Sequence, residues 1–532
     1  ERKIYASSFN YFAKEKGAYD YYDYKDHQTY IDAIANINKT FGKFSLAANV
    51  GYSYSDYASL TRGYGGNLVL VPNKFSLNNI NPTDSKIREA GGDSKVRNVA
   101  AFASAELGWR SMVYLTLTGR NDWNSRLVNS SEESFFYPSV GLSGIISEMT
   151  KLPSFISYLK VRGSYTEVGS PVSRSGMTPG TITTPIVGGS LKSTDIYPFT
   201  DYKAERTKSY EFGLTARFWK KLSFDFTWYK SNTYNQTFIG ELPESSGYKA
   251  VYLQAGNVEN RGVEMALGYS DNFGGLQWNS SLVYSKNVNE IKEMVKDYHH
   301  PLSPKPINIP EVSKDNGRVL LKVGGSINDI YARKVLAKDN QGFVNVSPSG
   351  GMNLETVEPI YLGKTTPDFT MGWNNNFTYK NFGLSFLINA RVGGIVTSST
   401  QALLDRFGVS KASADARDAG GVMIPNQGLY DAKKYYTLVA TGENDLAGYY
   451  TYSATNVRLQ ELTLSYKFNS KLFNNVIKDL TLSFVATNPW MIYCKAPFDP
   501  ELTASTGTYG QGNDYFMQPS LKSYGFSVKF KF

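Results

Sequence analysis

Between Phe44 and the last residue, short segments alternate bulky apolar or ring residues with small polar ones, again and again. The terminal stretch "SYGFSVKFKF" is the plainest case. Tyr524, Phe526, Val528, Phe530 and Phe532 fall on one face of an extended strand, and Ser523, Gly525, Ser527, Lys529 and Lys531 on the other. "FSLAANVGYSY" (Phe44–Tyr54), "YEFGLTARF" (Tyr210–Phe218) and "DFTMGWNNNFTYK" (Asp368–Lys380) repeat the pattern. The connections alternate too. Short turns fall near 42–43, 109–112, 219–221, 271–275 and 380–383, and long polar stretches near 58–95, 169–204, 291–365, 398–454 and 489–517. Short turns at one end and long loops at the other are what a transmembrane β-barrel shows; a soluble sandwich has no reason to sort its loops by parity. The expected fold is therefore all-β, an antiparallel barrel with long extracellular loops and about sixteen spanning strands in these residues. Arg318–Ala337 ("RVLLKVGGSINDIYARKVLA") also alternates, but placing it in the wall would break the parity, so it is expected in an outer excursion.

Composition agrees. Aromatic residues make up 14% of the chain, with 39 Tyr and 30 Phe, yet mean hydropathy is −0.35. Outward apolar and inward polar residues cancel in any window, and no run approaches the ~18 apolar residues of a membrane helix. The net charge of +9 comes without a clustered Lys/Arg run, so nucleic-acid binding is not expected. Cys494 is the sole cysteine, which excludes an internal disulfide. The chain opens at Glu1 without a charged-then-apolar leader, as a processed export product or a segment of a longer protein would.

The sequence offers no catalytic constellation. His27, His299 and His300 have no partners at zinc-site spacing, no glycine-rich phosphate loop precedes a helix, and "AKDNQGF" lacks the alternating acids of a calcium loop. Neither enzyme activity nor a cofactor is expected. Arg120, Asp122, Asp368 and Arg391 fall on the inward face near the outer strand ends and are candidates to contact a polar solute. The alternative is that they pair across the wall and hydrate the lumen. Tyr248, Tyr252, Trp490 and Tyr493 are candidates to stack on sugar or peptide, with loop packing as the alternative.

Six blocks, in order along the chain, resemble the barrel of SusC/RagA-type TonB-dependent transporters of bacterial outer membranes. They are "FFYPSVGLSGIISE" (Phe135–Glu148), "YLKVRGSYTEVGS" (Tyr158–Ser170), "ERTKSYEFGL" (Glu205–Leu214), "AGNVENRGVEMAL" (Ala255–Leu267), the stretch Ile360–Phe386 and "NPWMIYCKAPFDPE" (Asn488–Glu501). The fourth is the most specific. The resemblance implies an outer-membrane barrel of about 22 strands, a plug inside it, a SusD-like lipoprotein lid, and energy supplied through TonB–ExbB–ExbD. It further implies import of oligosaccharides or peptides, and a terminal aromatic, here Phe532, that serves as an assembly signal. Residues 1–532 then read as the barrel portion, with about six strands, the plug and the TonB box lying outside them. A self-contained passive porin of about sixteen strands is the alternative.

Overall fold

A computed structural model describes residues 1–6, 15–80, 94–128, 130, 132–171, 186–187, 190–191, 196–197, 203–242, 250–300, 303–314, 318–346, 351–441, 448–469, 479–505, 507 and 510–531. The chain divides into two compact units, one of residues 1–108, 116–140 and 167–205, the other of 109–115, 141–166 and 206–532. Long antiparallel strands carry both. We number them β1 (Ala18–Phe41), β2 (Phe44–Asn67), β3 (Ser94–Trp109), β4 (Val113–Asn124), β5 (Ser134–Ile145), β6 (Ile156–Ser170), β7 (Glu205–Phe218) and β8 (Leu222–Glu241). The rest are β9 (Ala250–Phe273), β10 (Leu276–Glu293), β11 (Phe369–Tyr379), β12 (Phe382–Val392), β13 (Asn456–Phe468), β14 (Asp479–Cys494) and β15 (Ser523–Lys531). Among the described residues no helix is long and apolar enough to cross a membrane, which says nothing against strands doing so.

In the first unit β1 and β2 pair without a slip, from Phe41↔Phe44 at the turn to Ala18↔Asn67 at the far end. Their apolar face carries Ile31, Ile37, Phe41, Phe44, Val50 and Tyr52, all exposed. On the opposite face Asn49 donates to Ser104 of β3 at 2.8 Å. Gly51 stands beside it because a Cβ at that position would overlap the Phe102 ring. Gly51→Leu is therefore expected to destabilise the folded unit by ~1–3 kcal/mol through overpacking, read as a lower denaturant midpoint at unchanged slope.

In the second unit β7 to β10 pair in succession, then β10 with β11, β11 with β12, β12 with β13, β13 with β14 and β14 with β15. Register carries one ring face across these strands. Phe377 pairs with Leu384, Leu384 with Leu464, Leu464 with Phe484, and Phe484 with Phe526. Leu464, Leu482 and Phe526 on this face are 48%, 40% and 77% exposed, as the lipid-facing side of a barrel requires. A buried polar residue shares the face. Asn375, opposite Phe386, is fully buried and accepts a bond from Trp278 Nε1 at 3.1 Å, beneath the stacked rings of Trp278 and Phe377. Two of the short turns do without glycine: Arg110 and Ser111, and Trp219 and Lys220, hold φ values of 52°, 55°, 50° and 59°. Paired positive φ is the mark of the hairpin turn whose twist matches that of the strands.

The long connections of the second unit are built. Val319–Lys322 and Asp329–Leu336 join Glu311–Lys314 and Leu354–Lys364 in a separate four-stranded sheet, so Arg318–Ala337 lies outside the main sheet, as the parity required. Residues 398–454 depart from a purely polar loop. They form α1 (Ser399–Arg406), α2 (Lys411–Asp418) and α3 (Ala432–Thr441), and Ala402, Ile424, Tyr435, Val439, Ala440 and Tyr450 bury against Met352. All of them but Met352 come from the one connection 398–454, spaced too widely to be read as a core from sequence.

Candidate functional site on the polar face and outer cap

Side chains on the polar face of the first unit meet in a closed network. Arg120 and Asp122 leave the same face of β4, and the guanidinium grips the carboxylate twice, at 2.8 and 2.9 Å. Asp122, only 4% exposed, also accepts from Asn98 at 2.8 Å and from the Tyr137 hydroxyl. Asn124 donates to Asn98, and Arg120 lies over the Phe102 ring at 5.5 Å. The carboxylate is thus spoken for by its own wall. A charge held in a bidentate pair orients a passing solute only through what it leaves exposed, here part of the guanidinium.

The polar face of the second unit is an amide and hydroxyl surface with scattered charge. Arg162 on β6 donates to Glu211 at 3.3 Å and to Thr227 at 2.6 Å, and Thr215 donates to Asp225 at 2.7 Å. Asp225, Thr227, Glu264, Ser285 and Thr370 line a depression of about 290 Å³. Farther out, Asn260 accepts from Asn287 at 3.1 Å and from Asn289 at 3.0 Å, and Tyr229 donates to Asn287 at 3.2 Å. Gly262, paired with Tyr229, leaves the space its phenol occupies. The block "GNVENRGVE" owes its Asn and second Gly to this packing.

At the outer end three connections are sewn together. Ile395–Ser398 pairs antiparallel with Thr451–Ser453 and parallel with Asn513–Asp514. Ser398 caps α1 by accepting from Gln401 N–H at 3.0 Å while donating to Asp514 at 2.7 Å. Tyr450, 2% exposed, donates to the equally buried Asp405 at 3.1 Å, and burial raises the pKa of its hydroxyl well above that of free tyrosine. Arg318 donates to the Gln511 carbonyl at 3.0 Å. Beneath lies a buried ion pair. Arg458 on β13 grips Asp499 at 2.8 and 3.3 Å, with each side chain 8% exposed, and Glu501 stands 3.5 Å away. Burial alone would raise the Asp499 pKa, but Arg458 and Ser520 hold it below the usual carboxylate range.

The candidate residues fall in different surroundings. Asp368 pairs with Lys364 at 2.8 Å and remains 58% exposed. Arg391 donates to the Thr365 carbonyl at 2.7 Å, and its Nε is buried without a hydrogen-bond partner among the described residues. Tyr252 is buried at 9% exposure, opposite Ile239. Trp490, opposite Leu459 and 59% exposed, and Tyr493, 42% exposed, lie at the outer end of β14. Tyr248 and Phe532 lie outside the described residues. Arg458, Asp499 and the Asn260 ladder were not among the sequence candidates. The one sequence signal for Asp499 and Asn260 is position within the blocks "FDPE" and "GNVEN", and Arg458 lies in none of the six blocks. Among the described residues no cluster of His, Cys, Asp and Glu could hold a metal ion.

Comparison with known proteins follows the same outline. A family model described as the TonB dependent receptor-like β-barrel matches residues 3–488. TonB-dependent receptor P3 of Formosa agariphila is 23% identical over 93% of this chain and 51% of its own length. TonB-dependent receptor SusC of Bacteroides thetaiotaomicron is 24% identical over 79% of this chain and 43% of its own length. The chain thus spans about half the length of the curated relatives it matches. In structure it is similar to the RagAB peptide importer in its open-open state, with a TM-score of 0.73 at 17% identity over 99% of this chain and 57% of that one. The closed-closed state gives 0.70 at 17% identity, over 96% of this chain and 56% of that one.

Proposed function

The chain belongs to the TonB-dependent receptor-like β-barrel family of the outer membrane, and on that premise we propose that it forms the wall of an energised importer of oligomeric nutrients, oligosaccharides or peptides. The observation that carries the reading is the pairing of a continuous apolar outer face with a polar inner one under a stitched outer cap. A wide polar lumen leaks unless something fills it. We assign that filling to a plug contributed from outside these residues, with the TonB-contacting segment, and the covering of the cap to a SusD-like lipoprotein. RagAB, similar in fold, is described as a peptide importer. Arg391 and Asp368, at the outer ends of β12 and β11, are the inward charges we assign to first contact with solute in the second unit, and we assign the same role in the first unit to the exposed part of the Arg120 guanidinium held by Asp122.

The experiment is uptake of a labelled oligosaccharide or oligopeptide by cells that depend on this protein. Collapse of the proton-motive force should stop uptake while surface binding persists. Steady open pores in a planar bilayer, with uptake indifferent to uncouplers, would establish a passive porin instead.

A further inference from the structure

We propose that four cations on the apolar side of the second unit, Lys230, Arg261, Lys286 and Lys292, bind the phosphate of an anionic lipid in the outer leaflet. On β8 and β9 the ring face runs through Phe226, Trp228, Met265 and Val263, and the next positions on that face are Lys230 and Arg261, which pair with each other. Lys286 pairs with Val263 and Glu290 with Glu259, so β10 continues the same face, one pair either side of Arg261. Arg261 lies twelve residues from Phe273, where β9 ends at its short turn. Twelve residues of strand rise about 40 Å along the strand and, at a tilt of about 40°, about 30 Å along the membrane normal. The apolar band of such a wall is about 25 Å tall. The cations therefore stand at the headgroup level.

Their surroundings make the surface cationic rather than neutral. Glu259 is 5% exposed and takes Lys230 at 2.8 Å, Arg261 at 3.6 Å and Lys292 at 3.8 Å, while those side chains are 41%, 52% and 32% exposed. Glu290, 28% exposed, holds Lys292 at 2.7 Å and Arg261 at 3.7 Å. Lys286 is exposed and has no carboxylate partner among the described residues. Two shielded carboxylates thus fix the cations in place, and the outward charge is positive. The first unit repeats the design on its own. Asp56, 14% exposed, holds Lys95 at 3.4 Å and Arg97 at 3.2 Å, which are 60% and 51% exposed, and Arg97 lies over the Tyr54 ring at 5.7 Å. Pre-placed cations beside an interfacial ring suit a lipid phosphate, whose acyl chains continue down the apolar face.

The test uses the full-length protein, folded in mixed micelles of phosphatidylcholine and phosphatidylglycerol, with retained lipid counted by native mass spectrometry. Wild type should retain phosphatidylglycerol in preference to phosphatidylcholine. The variant carrying Lys230→Gln, Arg261→Gln, Lys286→Gln and Lys292→Gln should lose that preference by about tenfold or more. Lys286→Gln alone removes no ion pair, so its partial loss cannot come from misfolding. Lys220→Gln, at an inner turn, should change nothing. Equal retention of both lipids by wild type, or undiminished preference in the fourfold variant with normal heat-modifiable mobility, would overturn the proposal. So would displacement of the lipid by inorganic phosphate at equal concentration, which would mark a site for free anion.

Discussion

Asp499→Ala is expected to loosen the outer cap of the second unit at a cost of ~3–5 kcal/mol, because it strands the Arg458 guanidinium in a buried site. Both side chains are 8% exposed, and the pair joins the base of β13 to the connection after β14. Hydrogen exchange should rise in Asn456–Arg458 and in the connection carrying Asp499, with β7 to β10 unchanged. Replacing both members, Arg458→Met with Asp499→Leu, should recover much of the loss, since a buried pair is often matched by apolar residues of similar volume. Acid should act in the same direction as Asp499→Ala. The folded-state pKa of Asp499 is depressed, so its contribution is in full force above the unfolded carboxylate value. It is lost as pH falls through the lower folded value. Exchange of the cap should therefore be flat across neutral pH and rise only in strong acid. A cap that loosens between pH 5 and pH 8, near the ordinary histidine range, would assign its stability to some other group.

How far the sequence could be read differs between wall and cap. The wall was legible because a two-residue period, repeated strand after strand, has few other physical explanations. "LTLSF" in β14 and "GFSVKFK" in β15 announce their faces without help from tertiary structure. The rejection of Arg318–Ala337 from the wall was also legible, through parity alone. The cap was not. Its core draws Ala402, Ile424, Val439 and Tyr450 from well-separated positions of one long connection and Met352 from another, and no local period marks them. Its bonds, such as Ser398 to Asp514, span 116 residues. Arg120 and Asp122 were legible as inward charges, but not as a bidentate pair closed by Tyr137 and Asn98. Asn375 shows the limit of alternation itself: its parity puts an amide on the ring face, where its Oδ1 accepts from Trp278 and its Nδ2 is buried with no hydrogen-bond partner among the described residues.

The register of β14 makes the sharpest claim about the membrane. Phe484 pairs with Leu464 on one side and Phe526 on the other, with ring centroids of Phe484 and Phe526 5.7 Å apart. Ser483 pairs with Ser465 and Ser527, so a row of hydroxyls runs one residue away on the opposite face. Arginine at Phe484 would have to enter hydrocarbon or drag water to itself, at a cost of ~2–4 kcal/mol near the midplane. At Ser483 the same guanidinium would reach water in the lumen, at a cost of about 0–1 kcal/mol. Folding each variant into bilayers of defined thickness and titrating with denaturant measures both values. The expected result is a difference of at least about 2 kcal/mol, with Phe484→Arg the less stable. Equal costs would mean that the two faces of β14 meet the same medium, and the division into a lipid side and a lumen side would fail for this strand. A larger cost at Ser483→Arg would reverse the faces, and would carry Leu464 and Phe526 into the lumen with Phe484, since the ladder binds all three to one side.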